Sequence, residues 1–133
     1  MSVAVNGFTV VADGSVTTPK GFRAGGVHCG IKKTKQRDLG AIVCEVPAEA
    51  AGVFTKNLVC AAPLAVTKES LAAGGKLRAM LVNSGNANAC TGEQGLRDAR
   101  EMRARFAAAL GTAEHLVGVT STGGIGVTLP MDN

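Results

Sequence analysis

The chain has 133 residues, 46% of them apolar and 18% charged, with no tryptophan, no tyrosine and four phenylalanines. That length fits one domain able to bury roughly two-thirds of its unfolded surface, and that balance excludes general disorder, which needs low hydrophobicity and high net charge. The formal charge of +4 comes without aromatic side chains to stack bases, so nucleic-acid binding is disfavoured.

The N-terminal residues have neither a basic flank nor an uninterrupted apolar run, so they do not read as a secretory signal, and no stretch approaches the roughly 20 apolar residues of a membrane span. Glycine and proline punctuate residues 17–30, a loop-rich entry in which strands begin. The basic run 32–37 reads as a solvated loop that attracts anions. Residues 39–46 are apolar with β-branched members and are expected to form a strand that stops at Pro47, which has no amide to donate. Residues 52–55 and 63–67 are short and β-prone. Residues 68–73 are expected to form a short helix closed by Gly74 and Gly75.

A further strand at 77–82 delivers the chain into the polar loop 83–90, Asn-Ser-Gly-Asn-Ala-Asn-Ala-Cys. A helix follows, with Thr91 and Gln94 spaced for a capping box and Gly111 as its stop. Leu96, Ala99, Met102, Phe106, Ala109 and Leu110 recur at three- and four-residue steps as one apolar stripe, while Arg97, Glu101 and Arg105 are spaced as i,i+4 pairs. Residues 116–120 form a last strand before the turn at 121–126. Helices and short strands mix without repeats, so residues 1–133 read as one α+β domain. Its core must be built from small side chains and close backbone packing, for which the 18 glycines are suited.

Two segments are able to carry chemistry. Loop 83–92 sets three asparagines, hydroxyls and glycine turns before a helix N-terminus, where free amides favour anions; the alternative is that these groups satisfy one another and hold the loop's shape. Residues 120–126 form a small-residue turn whose outward amides and adjacent hydroxyls suit an oxyanion, or only a tight turn. His28 and His115 have no carboxylate or serine at a recognisable spacing and read as structural or surface residues. Asp38, Glu45 and Glu49 are scattered and give no acid and base pair. Cys29, Cys44, Cys60 and Cys90 contain no CxxC pair, so no metal site is expected, and they read as buried, reduced thiols of a cytoplasmic protein.

Larger blocks carry a resemblance. Residues 18–22 (Thr-Pro-Lys-Gly-Phe), 26–33 (Gly-Val-His-Cys-Gly-Ile-Lys-Lys), 51–55 (Ala-Gly-Val-Phe-Thr), 83–95 and 121–123 (Ser-Thr-Gly) resemble, in order, blocks of the ornithine acetyltransferase family, the bifunctional glutamate N-acetyltransferases of arginine biosynthesis. The likeness runs from about Pro19 to Asp132, nearly the whole chain.

This resemblance implies the N-terminal part of an α/β sandwich with a mixed sheet and packed helices. It implies a precursor that cuts itself before a threonine, which then opens a second, beta subunit as nucleophile, in a heterotetramer of two alpha and two beta chains. Acetyl would pass from N-acetylornithine to that threonine and on to glutamate, with no cofactor, although some members also take acetyl from acetyl-CoA. Thr122 and Gly123 would be the oxyanion-hole pair. The family block reads Ser-Thr-Gly-Val-Ile-Gly, whereas Gly124 replaces the valine here, which adds backbone freedom. No Ala-Thr pair occurs in these residues, so the nucleophile is expected elsewhere. The chain alone is expected to be inactive and poorly soluble, with apolar surface and strand edges uncovered. A non-enzymatic module binding an anionic metabolite, or a self-processing aminopeptidase of the same fold, are the alternatives.

Overall fold

The computed structural model describes residues 2–5 and 7–133, with side chains from residue 7 onward. Strands β1 (Ser2–Val5) and β2 (Phe8–Val11) make an antiparallel hairpin of their own, with Ser2 opposite Val11. The main sheet has four strands in chain order, β3 (Phe22–Val27), β4 (Leu39–Glu49), β5 (Lys76–Asn86) and β6 (Val117–Gly124). The first three are antiparallel neighbours and β6 runs parallel to β5. A parallel pair needs a crossover, and helix α2 (Gly92–Leu110) supplies it. The α+β reading holds.

Pro47 does not end β4. The strand continues to Glu49, and Pro47 falls where pairing with β5 skips from Val43 to Ala48. A proline there removes no ladder bond, because the ladder is already interrupted. β5 likewise runs four residues into the expected polar loop, to Asn86. Residues 51–60 form no helix or strand, against the β-prone reading of 52–55.

The expectation of a strand at 63–67 fails outright, because helix α1 spans Ala62–Ala72 as one element with Pro63 in its first turn. There proline's missing N–H removes no helical bond. Its β-branched Val66 and Thr67 signalled strand, but α1 lies along the outer edge of β6 and uses them there. The Thr67 hydroxyl donates to the Val119 carbonyl at 2.6 Å and accepts from the Val119 amide at 2.9 Å, while Ser70 donates to the Val117 carbonyl at 2.7 Å. This edge, expected to lie open, is therefore covered at Val117 and Val119. Thr67→Val keeps the shape and strands two buried backbone groups, so we expect a loss of about 2–4 kcal/mol, read by urea unfolding. Other apolar side chains, among them Val53, Leu58, Ile125 and Val127, are exposed as anticipated.

The capping box of α2 does not form. Thr91 (φ −108°, ψ 4°) is not extended as a capping residue should be. Its hydroxyl instead donates to Asn88 Oδ1 at 2.7 Å, and Gln94 donates to Asp98 at 2.6 Å. Gly111 ends the helix in the left-handed conformation, as its position suggests. On the apolar stripe Ala99 and Met102 are buried and Leu96 and Phe106 pack beside them, but Ala107 is buried where Ala109 was expected. Glu101 pairs with Arg105, whereas Arg97 bonds Gln94. Val66, Leu81, Ala99, Met102, Val119 and Leu129 form the main core, aliphatic and without an aromatic among its buried members, whereas small side chains throughout were expected. Glu69 of α1 accepts from Arg100 and Arg103 of α2, at 2.7 and 3.3 Å, and the Arg100 bond chiefly holds its carboxyl below the ordinary range.

Candidate functional site

The parallel strands β5 and β6 end side by side, and there the two candidate segments meet. Ser84 pairs with Thr122 and Gly85 with Gly123. The Ala87 amide donates to the Gly124 carbonyl at 2.8 Å, and the Gly126 amide to the Ala89 carbonyl at 2.8 Å. Loop 83–92 and turn 120–126 are therefore one structure. Thr122 and Gly123 sit exposed at its rim, open to a reacting group.

Gly123 has φ 135°, and a Cβ there would fall 2.5 Å from the Asn86 amide nitrogen and 2.7 Å from Gly85 Cα. Both backbone angle and space demand glycine. Gly124 is different: it has no positive φ, and a Cβ would meet nothing closer than the Gly85 carbonyl oxygen at 3.7 Å. Replacing it by the valine of the family block relieves unfolded-state freedom without strain, so Gly124→Val is expected to stabilise by about 0.5–1 kcal/mol in thermal unfolding.

The asparagines of the loop are buried and their side-chain nitrogens are occupied, while Asn83 Oδ1 has no hydrogen-bond partner. Asn83 donates to the Asn86 carbonyl at 2.8 Å, and Asn86 to the Val127 and Thr128 carbonyls at 2.9 and 3.1 Å. Asn88 donates to the Gly95 carbonyl at 2.8 Å, and its amide donates to Asn86 Oδ1 at 2.7 Å. All three side-chain amides thus end on main-chain carbonyls, the shape-holding arrangement rather than an array of free donors. Asn88 and Cys90 take left-handed angles, φ 46° and 57°, and a Cβ on Gly95 would strike the Thr91 hydroxyl. The peculiarity of residues 83–95 is what this packing requires.

His28 keeps its structural reading, but it does have a carboxylate beside it, because the loop between β3 and β4 brings Asp38 to it. Asp38 is 2% exposed. It accepts from the Cys29 amide at 2.7 Å and the Lys32 amide at 2.8 Å, and His28 Nδ1 lies 3.0 Å from its second oxygen. Burial alone pushes the Asp38 pKa up, but the amides of Lys32 and Cys29, the Cys29 thiol and His28 outweigh it and hold the carboxyl well below the usual carboxylate range. Burial first, and Asp38 second, push the Cys29 thiol up, which makes it a poor nucleophile. The separation of His28 and Asp38 along the chain follows no local period, so nothing in the spacing signalled the pair.

The other titratable residues stay apart. Glu45 pairs with Arg23 and Glu49 with Lys76 on the surface, and His115 lies in a 3-10 turn, Glu114–Leu116. Residues 33–37 of the basic run are exposed. Cys44 is buried, but Cys60 and Cys90 are exposed, against expectation, and all four thiols are free. No group of three metal-ligating side chains occurs among the described residues, and no helix among them is long and apolar enough to cross a membrane.

Fold and site together define an α+β domain with helices packed on a mixed sheet, whose parallel strands end in a glycine-constrained hydroxyl and amide. The chain belongs to the ArgJ family, whose family model matches residues 23–133. It is 58% identical over 132 residues to the arginine biosynthesis bifunctional protein ArgJ of a Bacillus cereus strain, covering 99% of this chain and 32% of that protein. It is 63% identical over 119 residues to the protein of that name from Halalkalibacterium halodurans, covering 90% and 29%. The chain thus spans about a third of the length of these relatives.

Two crystal structures have the same fold. The arginine biosynthesis bifunctional protein of Bacillus halodurans superposes with a TM-score of 0.87 at 63% identity, over 90% of this chain and 62% of that one. The ornithine acetyltransferase of Mycobacterium tuberculosis, complexed with ornithine, gives 0.83 at 49% identity, over 88% and 63%.

Proposed function

We propose that the chain is the oxyanion-bearing part of a glutamate N-acetyltransferase that moves acetyl from N-acetylornithine to glutamate. The observation that carries this reading is the Thr122–Gly123 step, exposed at the strand ends and locked by a glycine whose backbone angle and close neighbours resist any side chain. Membership in the ArgJ family and the likeness to an ornithine acetyltransferase support it.

The nucleophile is the N-terminal threonine of a second, beta subunit, formed by self-cleavage, and two chains of each kind assemble as a heterotetramer. The new α-amine, with a pKa near ~8, takes the hydroxyl proton as the threonine oxygen attacks the acetyl carbonyl. Negative charge then collects on the carbonyl oxygen, where the Thr122 hydroxyl and the Gly123 amide donate to it. The amide C–N bond breaks, ornithine leaves with the proton, and acetyl remains on the threonine as an ester. The glutamate amine attacks that ester in turn, regenerating the threonine and giving N-acetylglutamate. No cofactor is required, acetyl-CoA serves as an additional donor in members that accept it, and the reaction belongs in the cytoplasm.

The test uses a chimera in which these residues replace the matching third of the Bacillus cereus relative. N-acetylornithine should add one acetyl group to the N-terminal threonine of the second chain, seen by mass spectrometry, and glutamate should discharge it as N-acetylglutamate. Discharge to acetate alone would indicate an aminopeptidase-like hydrolase instead, and no adduct on a correctly assembled chimera would leave a binding module.

A further inference from the structure

Asp38 does more in this fold than contact His28. Both of its carboxylate oxygens hold the turn that leaves β3, one through the Cys29 amide at 2.7 Å and the other through the Lys32 amide at 2.8 Å. Its own backbone carbonyl accepts from the Ser84 amide at 2.8 Å. The turn it holds is pressed onto the next residue of β5: a Cβ on Gly85 would lie 3.0 Å from both Ile31 Cγ2 and Lys32 Cγ. Gly85 in turn backs against Gly123, whose own missing Cβ would touch Gly85 Cα at 2.7 Å. Ser84 and Gly85 are the register partners of Thr122 and Gly123.

One buried side chain and its carbonyl therefore grip both residues of β5 that face the proposed oxyanion pair. We propose that Asp38 is a positioning residue for Thr122 and Gly123, acting through the clamped turn at residues 29–32 and the Ser84–Gly85 step of β5. This rests on the oxyanion role given to Thr122 and Gly123 above. Buried in a low-dielectric setting, a carboxylate that accepts from two main-chain amides fixes geometry more firmly than a neutral group, since charge-assisted bonds are shorter and stronger. A donor displaced by even a fraction of an ångström from the developing oxyanion loses much of its effect, and misplacements near 1 Å cost on the order of 10²-fold.

Asp38→Asn is the discriminating change, because it keeps the size but turns one acceptor into a donor facing a main-chain amide. The turn should lift from Gly85. In the chimera, with rates normalised to cleaved protein, we expect kcat and kcat/KM for N-acetylornithine to fall together by roughly 10- to 100-fold, the pattern of a lost transition-state interaction. The readout that separates positioning from ordinary anchoring is the same change made in the Thr122→Ala background. If Asp38 works through the oxyanion pair, Asp38→Asn then costs several-fold less than it does with Thr122 in place, since one of the two donors it aligns is already gone.

Ile31→Ala, which removes the Cγ2 facing Gly85 and leaves Asp38 intact, should show the same non-additivity and serves if Asp38→Asn fails to fold. Equal losses from Asp38→Asn, or from Ile31→Ala where that variant stands in, in both backgrounds would overturn the proposal and leave Asp38 a structural anchor. A Thr122→Ala protein with undiminished kcat would overturn instead the oxyanion reading beneath it.

Discussion

Replacing Gly123 by alanine is expected to destabilise the domain by about 3–5 kcal/mol, the combined scale of a strained backbone and an overpacked contact. The reason lies in two independent constraints at one residue. Its φ of 135° is a conformation that side chains other than glycine's rarely adopt, and the added Cβ would press on Gly85 and on the Asn86 amide. Neither neighbour has room to give, since both are main chain of a paired strand, and Asn86 is held by bonds to the Val127 and Thr128 carbonyls. Denaturant unfolding measures the effect. A loss below about 1 kcal/mol, the scale of an unstrained substitution, would mean that the strand ends are loose enough to part, and so too loose to present a fixed amide.

Thr122→Ala should have the largest effect on rate with little effect on stability. The residue is exposed, so its hydroxyl carries no core packing. Removing one donor to a developing oxyanion costs on the order of 10²- to 10³-fold in kcat, about 2.7–4 kcal/mol of transition-state stabilisation. Thr122→Ser, which keeps the hydroxyl, should recover most of it. A steady-state assay of acetyl transfer in the chimera distinguishes this from a binding role, which would raise KM and leave kcat in place.

Much of the scaffold around these residues was legible in the sequence. The stripe through Leu96, Ala99, Met102 and Phe106 and the glycine at 111 marked α2, because a long amphipathic helix writes its period plainly. The apolar runs beginning at Leu39, Leu77 and Leu116 marked three strands of the sheet. Only the end of α1 was expected, at 68–73; its start did not show, since the helix packs on a strand edge, where Thr67 and Ser70 spend their hydroxyls on Val119 and Val117 and leave its inward face without an apolar stripe. Thr91 misled for a related reason. Its spacing to Gln94 is that of a capping box, but Asn88 claims the hydroxyl first.

At the site, the turn at 120–126 and the loop at 83–92 were each visible, but their union was not, because backbone bonds such as Ala87 to Gly124 depend on the parallel pairing of β5 and β6. The clasp of Asp38 on residues 28–32 was hidden for the same reason. It is made by a loop folding back, and side-chain spacing along the chain carries no trace of it.

Stabilisation of an acetyl-transfer oxyanion by Thr122 and Gly123 is read most plainly in the single-turnover rate of acetyl-threonine formation from N-acetylornithine, with and without the Thr122 hydroxyl. A drop of about 10²-fold or more is expected in Thr122→Ala, restored in Thr122→Ser, with the protein still folded and cleaved. Equal rates in all three proteins would contradict it.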